Sequence, residues 1–488
     1  MAHDLTVILD DREAPPPEVA AAIGSVRFRH ILRRRRRLED EVAAATAEAG
    51  VRLRVVDSDA AAVTLAGWIE DRGAGPYYLR LPSCIAPLRM EELSGLIAKG
   101  AYALETMMVA PLSGDEAPML LSAADAAAVL RAEGREARRA VLLSLGDTAQ
   151  RMIDHLEMVD LRDPRLLLRF LAGSTEARHF NDTGTDGRVF RKSSTDVAKM
   201  RGEHGFFHAV PERMKRFLMP TFDYWERDGR AGYAMEHLAV PDAALQLVHD
   251  AFSPADFELL LDQFFAFLDA RAPGPLGKFE ARATAGRQIV DKLNARLDAF
   301  LASEVGARLD RILEAAGPRG GLRTMQAAAL PLIERALDGA DVDRLVVAHG
   351  DPCFSNILFD RRLGLMRLID PRGATSAEGA LMHPLYDLAK FSHSVLGGYD
   401  FINNGLFSCS LDDDMRLRLT LDGGGPPTWA DAAFRTRLAA RGEGIAQVRG
   451  VEVSLFLSML PLHADQPRKL AGFALVAAAI LEELEGAA

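Results

Sequence analysis

The segment Val346–Gly373, VVAHGDPCFSNILFDRRLGLMRLIDPRG, constrains this chain more than any other. Three apolar runs are separated by a tight polar loop and then by a turn. That pattern predicts strand, loop, strand, turn, strand. Asp351, Asn356 and Asp370 fall at the loop ends, separated by five and fourteen residues. One carboxylate that orients a hydroxyl, and an amide and a second carboxylate as hard oxygen donors for Mg²⁺, are the side chains phosphoryl transfer requires. Asp351 next to Pro352 also suits a plain turn, and Asp370 also suits a plain strand end.

Upstream, residues 160–240 read as a small sheet carrying one helix. LLLRFLAG (166–173), ARHFND (177–182) and RVFRKS (188–193) read as strands, the last two joined by the turn TGTDG (183–187). Thr195 is the expected cap of a helix over 195–210. Residues 217–239 read as two strands around Asp228-Gly229. Beyond 240 the chain turns helical. Ser253-Pro254 marks a helix start, and Phe257, Leu260, Leu261, Phe264, Phe265 and Leu268 fall on one face as core. The first ~150 residues alternate strand and helix, with LTVILD (5–10), VRLRVVD (51–57) and YYLRLP (77–82) as strands and 39–50 as a helix. Such alternation predicts an α/β layer with a parallel sheet. Neither GxGxxG nor GxxxxGK[ST] accompanies it.

The catalytic-loop segment HGDPCFSNILFD resembles that of the aminoglycoside phosphotransferase and choline kinase group, with its HGDxxxxN pattern, and LIDPRG resembles that group's metal-binding strand end. The resemblance extends over roughly 160–488. It implies a protein-kinase-like bilobal α+β fold: a small β-rich lobe (156–240), a large helical lobe (241–488), and a preceding α/β domain (1–155), Rossmann-like or nucleotidyltransferase-like. It implies Asp351 as the catalytic base, His349 as its orienting neighbour, and Asn356 and Asp370 as Mg²⁺ ligands. Lys192 matches the lysine on the α- and β-phosphates, and Glu203, eleven residues on, its ion-pair partner. Ser174 and Thr175 match the loop over the phosphates. Met235, Glu236, His237 and Leu238 match the hinge facing adenine. Asp387 resembles the structural Asp that braces the catalytic loop. Pro371 and Arg372 stand where protein kinases have Phe-Gly, and their glycine loop is missing, which favours small-molecule kinases. Residues 455–473 resemble the tail of kinases of bacterial capsule or surface-polysaccharide synthesis.

The resemblance therefore implies an ATP- and Mg²⁺-dependent kinase with a small-molecule hydroxyl acceptor, sugar-like by the last likeness. A pseudokinase or nucleotide-binding regulator, a protein kinase, and a divergent nucleotidyltransferase at the N-terminus stay open.

Composition narrows the partners. With 58 basic and 69 acidic residues the net charge is −11, which excludes a general nucleic-acid coat. Three scattered cysteines make no metal spacing and fit a reducing compartment. The apolar run 470–481 is shorter than the ~20 residues a membrane span needs, and the N-terminus lacks an apolar signal core, so a cytoplasmic protein is expected. The run Arg33–Arg37, followed by Glu39, Asp40 and Glu41, reads as a solvated helix face, with an anionic ligand, nucleic acid or membrane surface as the other reading. Asp10 and Asp11 read as strand-end turn acids, with a metal pair as the alternative. Cys353 reads as a small loop filler, and His463 and Asp465 as loop residues or acceptor contacts.

Overall fold

The computed structural model describes residues 4–102, 105–110, 117–153, 156–172, 181–185, 188–339 and 343–486. The chain forms two compact units, Met1–Thr175 with His249–Ala251, and Glu176–Val248 with Phe252–Ala488.

The first unit is built on a six-stranded sheet. Its strands are β1 (Leu5–Asp10), β2 (Arg52–Val56), β3 (Tyr77–Pro82), β4 (Met107–Ala110), β5 (Met119–Ser122) and β6 (Gln150–Ile153), in the order β2-β1-β3-β5-β4-β6. Strand β1 lies between two parallel neighbours, and every one of its residues is buried. Strands β1, β2 and β3 are parallel, as the alternation predicts, but β5 runs antiparallel to β3 and β4. The connection from β4 to β5 spans only 111–118, shorter than the dozen residues a parallel crossover needs.

Two other expectations fail here. Residues 166–172 are not a strand: Pro164–Ala172 is a helix that buries Leu167, Phe170 and Leu171 at helical spacing. The arginine run is not a helix face either. Leu32–Arg33 and Arg36–Arg37 pair as a two-residue ladder, with Arg34 and Arg35 at the turn at φ 49° and 61°. Arg33 is buried, donating to the carbonyls of Leu88 (2.7 Å) and Phe170 (3.3 Å). Helix Leu38–Glu48 begins only after the ladder. Asp10 is committed to Arg12 and Arg80, each at 2.9 Å, and Asp11 accepts from Ser83 Oγ at 2.6 Å. Both acids are buried and engaged, in keeping with a structural role.

The second unit begins with an antiparallel sheet of β7 (Asn181–Thr185), β8 (Val189–Ser194), β9 (Thr221–Arg227) and β10 (Arg230–Glu236), ordered β7-β8-β10-β9. Strand β7 runs through Thr185, so Thr183–Thr185 of the predicted turn are strand, while 177–180, 186 and 187 lie outside the described residues. Helix α1 (Val197–Ala209) packs on this sheet. Its cap is Asp196, which accepts from the Lys199 N–H, rather than Thr195. The shared core holds Phe190, Met200, Met219, Tyr233, Met235 and Ile369.

Helical structure dominates the rest: α2 (Pro254–Ala270), α3 (Lys292–Leu301), α4 (Leu385–Val395), α5 (Ile445–Met459) and α6 (Pro467–Gly486). Helix α2 starts with a full capping box between Ser253 and Asp256 and buries its predicted apolar face. Phe264 of that face stacks on Phe391 of α4, ring centroids 3.9 Å apart. Ile445–His463 is the one helical stretch among the described residues long and apolar enough to cross a membrane, and 72% of it is buried in the core. The apolar run 470–481 lies in α6 and is likewise largely buried. Between α3 and α4 lie the strands β11 (Arg344–Val347), β12 (Ile357–Asp360) and β13 (Leu365–Leu368). Strands β12 and β13 form the predicted hairpin, with Ile357 opposite Leu368.

Candidate active site

That register explains how residues fourteen apart meet. Asn356 and Asp370 flank the open end of the β12–β13 hairpin, and the Ile369 N–H donates to the Asn356 carbonyl at 3.0 Å. The Asn356 amide nitrogen donates to the Asp351 carbonyl at 2.9 Å, which leaves the amide oxygen as its remaining donor atom for a metal. Asp370 adopts φ 54°, a left-handed conformation that an aspartate tolerates better than most residues. One carboxylate and one amide oxygen on adjacent strand ends suit Mg²⁺, which takes one or two protein carboxylates and completes its shell with water and phosphate.

The loop carrying Asp351 is held from below. Asp387 of α4 is fully buried and accepts from the Gly350 N–H (2.8 Å), the His349 N–H (3.3 Å) and Arg271 Nη1 (3.2 Å). His349 is also fully buried; burial pushes its pKa down against the pull of Asp387, Asp351 and Asp370, so the ring is neutral. Its Nδ1 accepts from the Asp351 N–H at 3.3 Å, a hydrogen-bonding role that sets the loop. Gly350 sits at φ 80°, and a Cβ there would lie 2.8 Å from Arg372 Cβ, so only glycine lets the two loops close.

On the sheet side, Lys192 of β8 lies between two carboxylates, 2.8 Å from Glu203 Oε2 and 2.9 Å from Asp370 Oδ1. Tyr233 donates to the same Glu203 oxygen at 2.9 Å. Burial alone would lower the Lys192 pKa, but Asp370 and Glu203 outweigh it and hold the ammonium above its ordinary pKa. Burial would raise Asp370, and Lys192 draws it down instead. For Glu203, burial and Asp370 win over Lys192 and push the carboxyl up. Helix α1 reaches the loop after Asp370 through a close backbone contact. Gly373 at φ 89° leaves no room for a Cβ, which would fall 2.8 Å from the Gly202 carbonyl carbon and 2.9 Å from the Glu203 nitrogen.

Among the residues expected at the hinge, Met235 is buried in the sheet core opposite Phe190, and Leu238 packs at its edge. Glu236 is exposed. The His237 N–H donates to the Arg188 carbonyl at 2.9 Å. Ser174 and Thr175 lie outside the described residues. Cys353 is buried and burial pushes its thiol up, so it is an inert filler. His463 is buried against the Phe473 ring at 5.0 Å. Asp465 lies two residues further on and accepts from Gln466 Nε2 at 3.3 Å.

Two further residues belong to this site and escaped the motif reading. Lys390 Nζ lies 3.0 Å from Asp351 Oδ1, and Asp351 in turn holds the lysine above its ordinary pKa despite burial. Its signal in the sequence was its place one helical turn after Asp387, on the same face of α4. Arg271, the cation on Asp387, ends α2 and carries no local signal at all.

No family model matches the chain, and no curated protein matches it. Similar solved structures are aminoglycoside phosphotransferases. A thermostable mutant of APH(4)-Ia in its apo form is 12% identical, covering 62% of this chain and 89% of that one, at a TM-score of 0.39. A ternary complex of that enzyme with AMP-PNP and hygromycin B is 12% identical over 63% and 92%, at 0.40. APH(3'')-Id from Streptomyces rimosus, with ADP and streptomycin, is 16% identical over 60% and 99%, at 0.34. At these identities and scores, function has to be argued from the site's own residues.

Proposed function

We propose that the unit containing residues 176–248 and 252–488 transfers the γ-phosphoryl group of ATP to a hydroxyl of a small molecule in the cytoplasm. The observation that carries this reading is Lys192 between Glu203 and Asp370, with Asp370, Asn356 and Asp351 gathered at the end of one hairpin. The likeness of residues 455–473 to capsule kinases favours a sugar or polysaccharide precursor as acceptor.

In this mechanism Lys192, braced by Glu203 and Tyr233, binds the α- and β-phosphates. Asn356 and Asp370 would hold Mg²⁺, which supplies charge neutralisation on the phosphates when bound. The Asp351 carboxylate orients the acceptor hydroxyl and takes its proton. The acceptor oxygen forms its bond to the γ-phosphorus as the bond from that phosphorus to the bridging oxygen breaks. ADP leaves with the bridging oxygen, and the proton passes from Asp351 to solvent. Lys390 neutralises charge beside Asp351 as the phosphoryl group crosses.

The test is a pair of variants. Asp351→Asn should lower turnover by roughly 10²–10⁴-fold while Mg²⁺-dependent AMP-PNP binding stays within a few-fold. Asp370→Ala should abolish that binding. Near wild-type turnover in the first, or unaltered binding in the second, refutes the assignment.

A further inference from the structure

Below Asp351, helices α3 and α4 gather positive charge around one phenol. Lys292 donates to Tyr386 OH at 2.8 Å, and the Arg372 guanidinium lies 5.7 Å from the centre of the Tyr386 ring. Arg296 follows Lys292 by one turn of α3 and donates to the Ser458 carbonyl at 3.3 Å. Lys390 follows Tyr386 by one turn of α4 and reaches Asp351. Among the described residues, Lys292, Arg296 and Arg372 have no carboxylate within ion-pair distance; the one carboxylate meeting the cluster is Asp351, through Lys390. Burial alone would raise the Tyr386 phenol, yet Lys292, Lys390 and Arg372 together draw it below its ordinary pKa, a measure of the positive potential there.

Four cations beside a proposed transfer site are more than one phosphoryl group calls for. Lys192 and Asp370 approach the nucleotide from the sheet side, whereas Lys292 and Arg296 belong to the helical structure beyond Asp351. A polycationic acceptor would meet repulsion there, since like charges in a partly desolvated site cost far more than in water. We propose that the acceptor is an anionic hydroxyl compound, whose carboxylate or phosphate is gripped by Lys292, Arg296 and Arg372 around Tyr386 while Asp351 orients its hydroxyl. This rests on the phosphotransfer reading above and narrows its substrate class.

The full chain is first tested for Mg²⁺-dependent AMP-PNP binding; its absence refutes the phosphotransfer reading itself, before any acceptor is added. With AMP-PNP saturating, calorimetric titration then compares glucuronate and glucose 6-phosphate with glucose and glucosamine. At least one anion should bind ten-fold or more tightly than glucose, glucosamine should be weakest, and the preference should shrink as salt rises. The two anions distinguish a carboxylate site from a phosphate site. Lys292→Met/Arg296→Met should erase the preference while leaving the glucose affinity unchanged. Arg372→Ala, at an exposed position, repeats the test where the double variant does not fold. No preference for either anion over glucose, a preference for glucosamine, a preference that survives in the variants, or variants that weaken AMP-PNP instead of the anion would each overturn the proposal.

Discussion

Asp387→Asn probes the device that holds the candidate catalytic loop. The carboxylate is fully buried and accepts from two backbone N–H groups and one guanidinium, at 2.8, 3.3 and 3.2 Å. Burial pushes the Arg271 guanidinium down, and Asp387 offsets part of that cost. An asparagine keeps the shape and one acceptor oxygen but leaves Arg271 as a buried, uncompensated charge. Breaking a buried pair in this way costs about 3–5 kcal/mol. For a unit this large that corresponds to a Tm lower by roughly 6–20 °C, at about 2–4 °C per kcal/mol. Activity should fall as well, because the His349 and Gly350 N–H groups that Asp387 anchors lie directly before Asp351. Differential scanning calorimetry and kcat on the same preparation read both effects. Arg271→Met removes the charge from the other side, so the double variant should be more stable than the sum of the singles by over about 1 kcal/mol. A Tm within 2 °C of wild type, or strictly additive losses, would refute the claim that this pair braces the loop.

Lys390→Met should lower kcat about 10²–10³-fold with nucleotide affinity within a few-fold, since a preorganised charge at the transferred group acts mainly in the transition state; steady-state kinetics alongside AMP-PNP titration checks this. Gly373→Ala forces a Cβ against the Gly202 and Glu203 backbone at φ 89°, so it should loosen the Lys192–Glu203 brace, raise the nucleotide KM and cost on the order of 1–3 kcal/mol of stability; unchanged KM and Tm would contradict it. Stability of the second unit should fall on acidification. Burial, with Arg282 and Arg271 nearby, lowers His383 from 6.5 to about 4, so its stabilising contribution is complete above pH 6.5 and lost as pH falls toward 4. The difference amounts to about 3 kcal/mol, and His383→Gln should flatten the pH dependence of urea unfolding over that window.

Much of this molecule was legible in the linear chain, and for a common physical reason. The hairpin of β12 and β13, the cap of α2, and the strand pair around Asp228-Gly229 are set by contacts within a few residues, where apolar period and turn chemistry act directly. The motif residues Asp351, Asn356 and Asp370 are local in the same sense, because one hairpin register brings them together. Where local signals compete, tertiary packing decided. The run 166–173 is apolar enough for a strand, yet 166–172 lie in a helix because Leu167, Phe170 and Leu171 are buried on one side of it. The arginine run became a ladder whose first arginine is buried against backbone carbonyls.

The charges that Arg271 and Lys292 bring to the site were not legible. Arg271 reaches Asp387 across 116 residues of chain, and Lys292 reaches Tyr386 across 94. No periodicity, cap or turn links such positions. Each side chain by itself reads as one more charged residue on a helix, and only the packing of α2, α3 and α4 turns them into a buried brace and a cationic cluster. The sequence by itself determined that Asp351, Asn356 and Asp370 meet, because they are close enough along the chain for one loop and one hairpin to bring them together. The tertiary structure alone decided what surrounds them, because long-range electrostatics depends on distances that only the folded core sets.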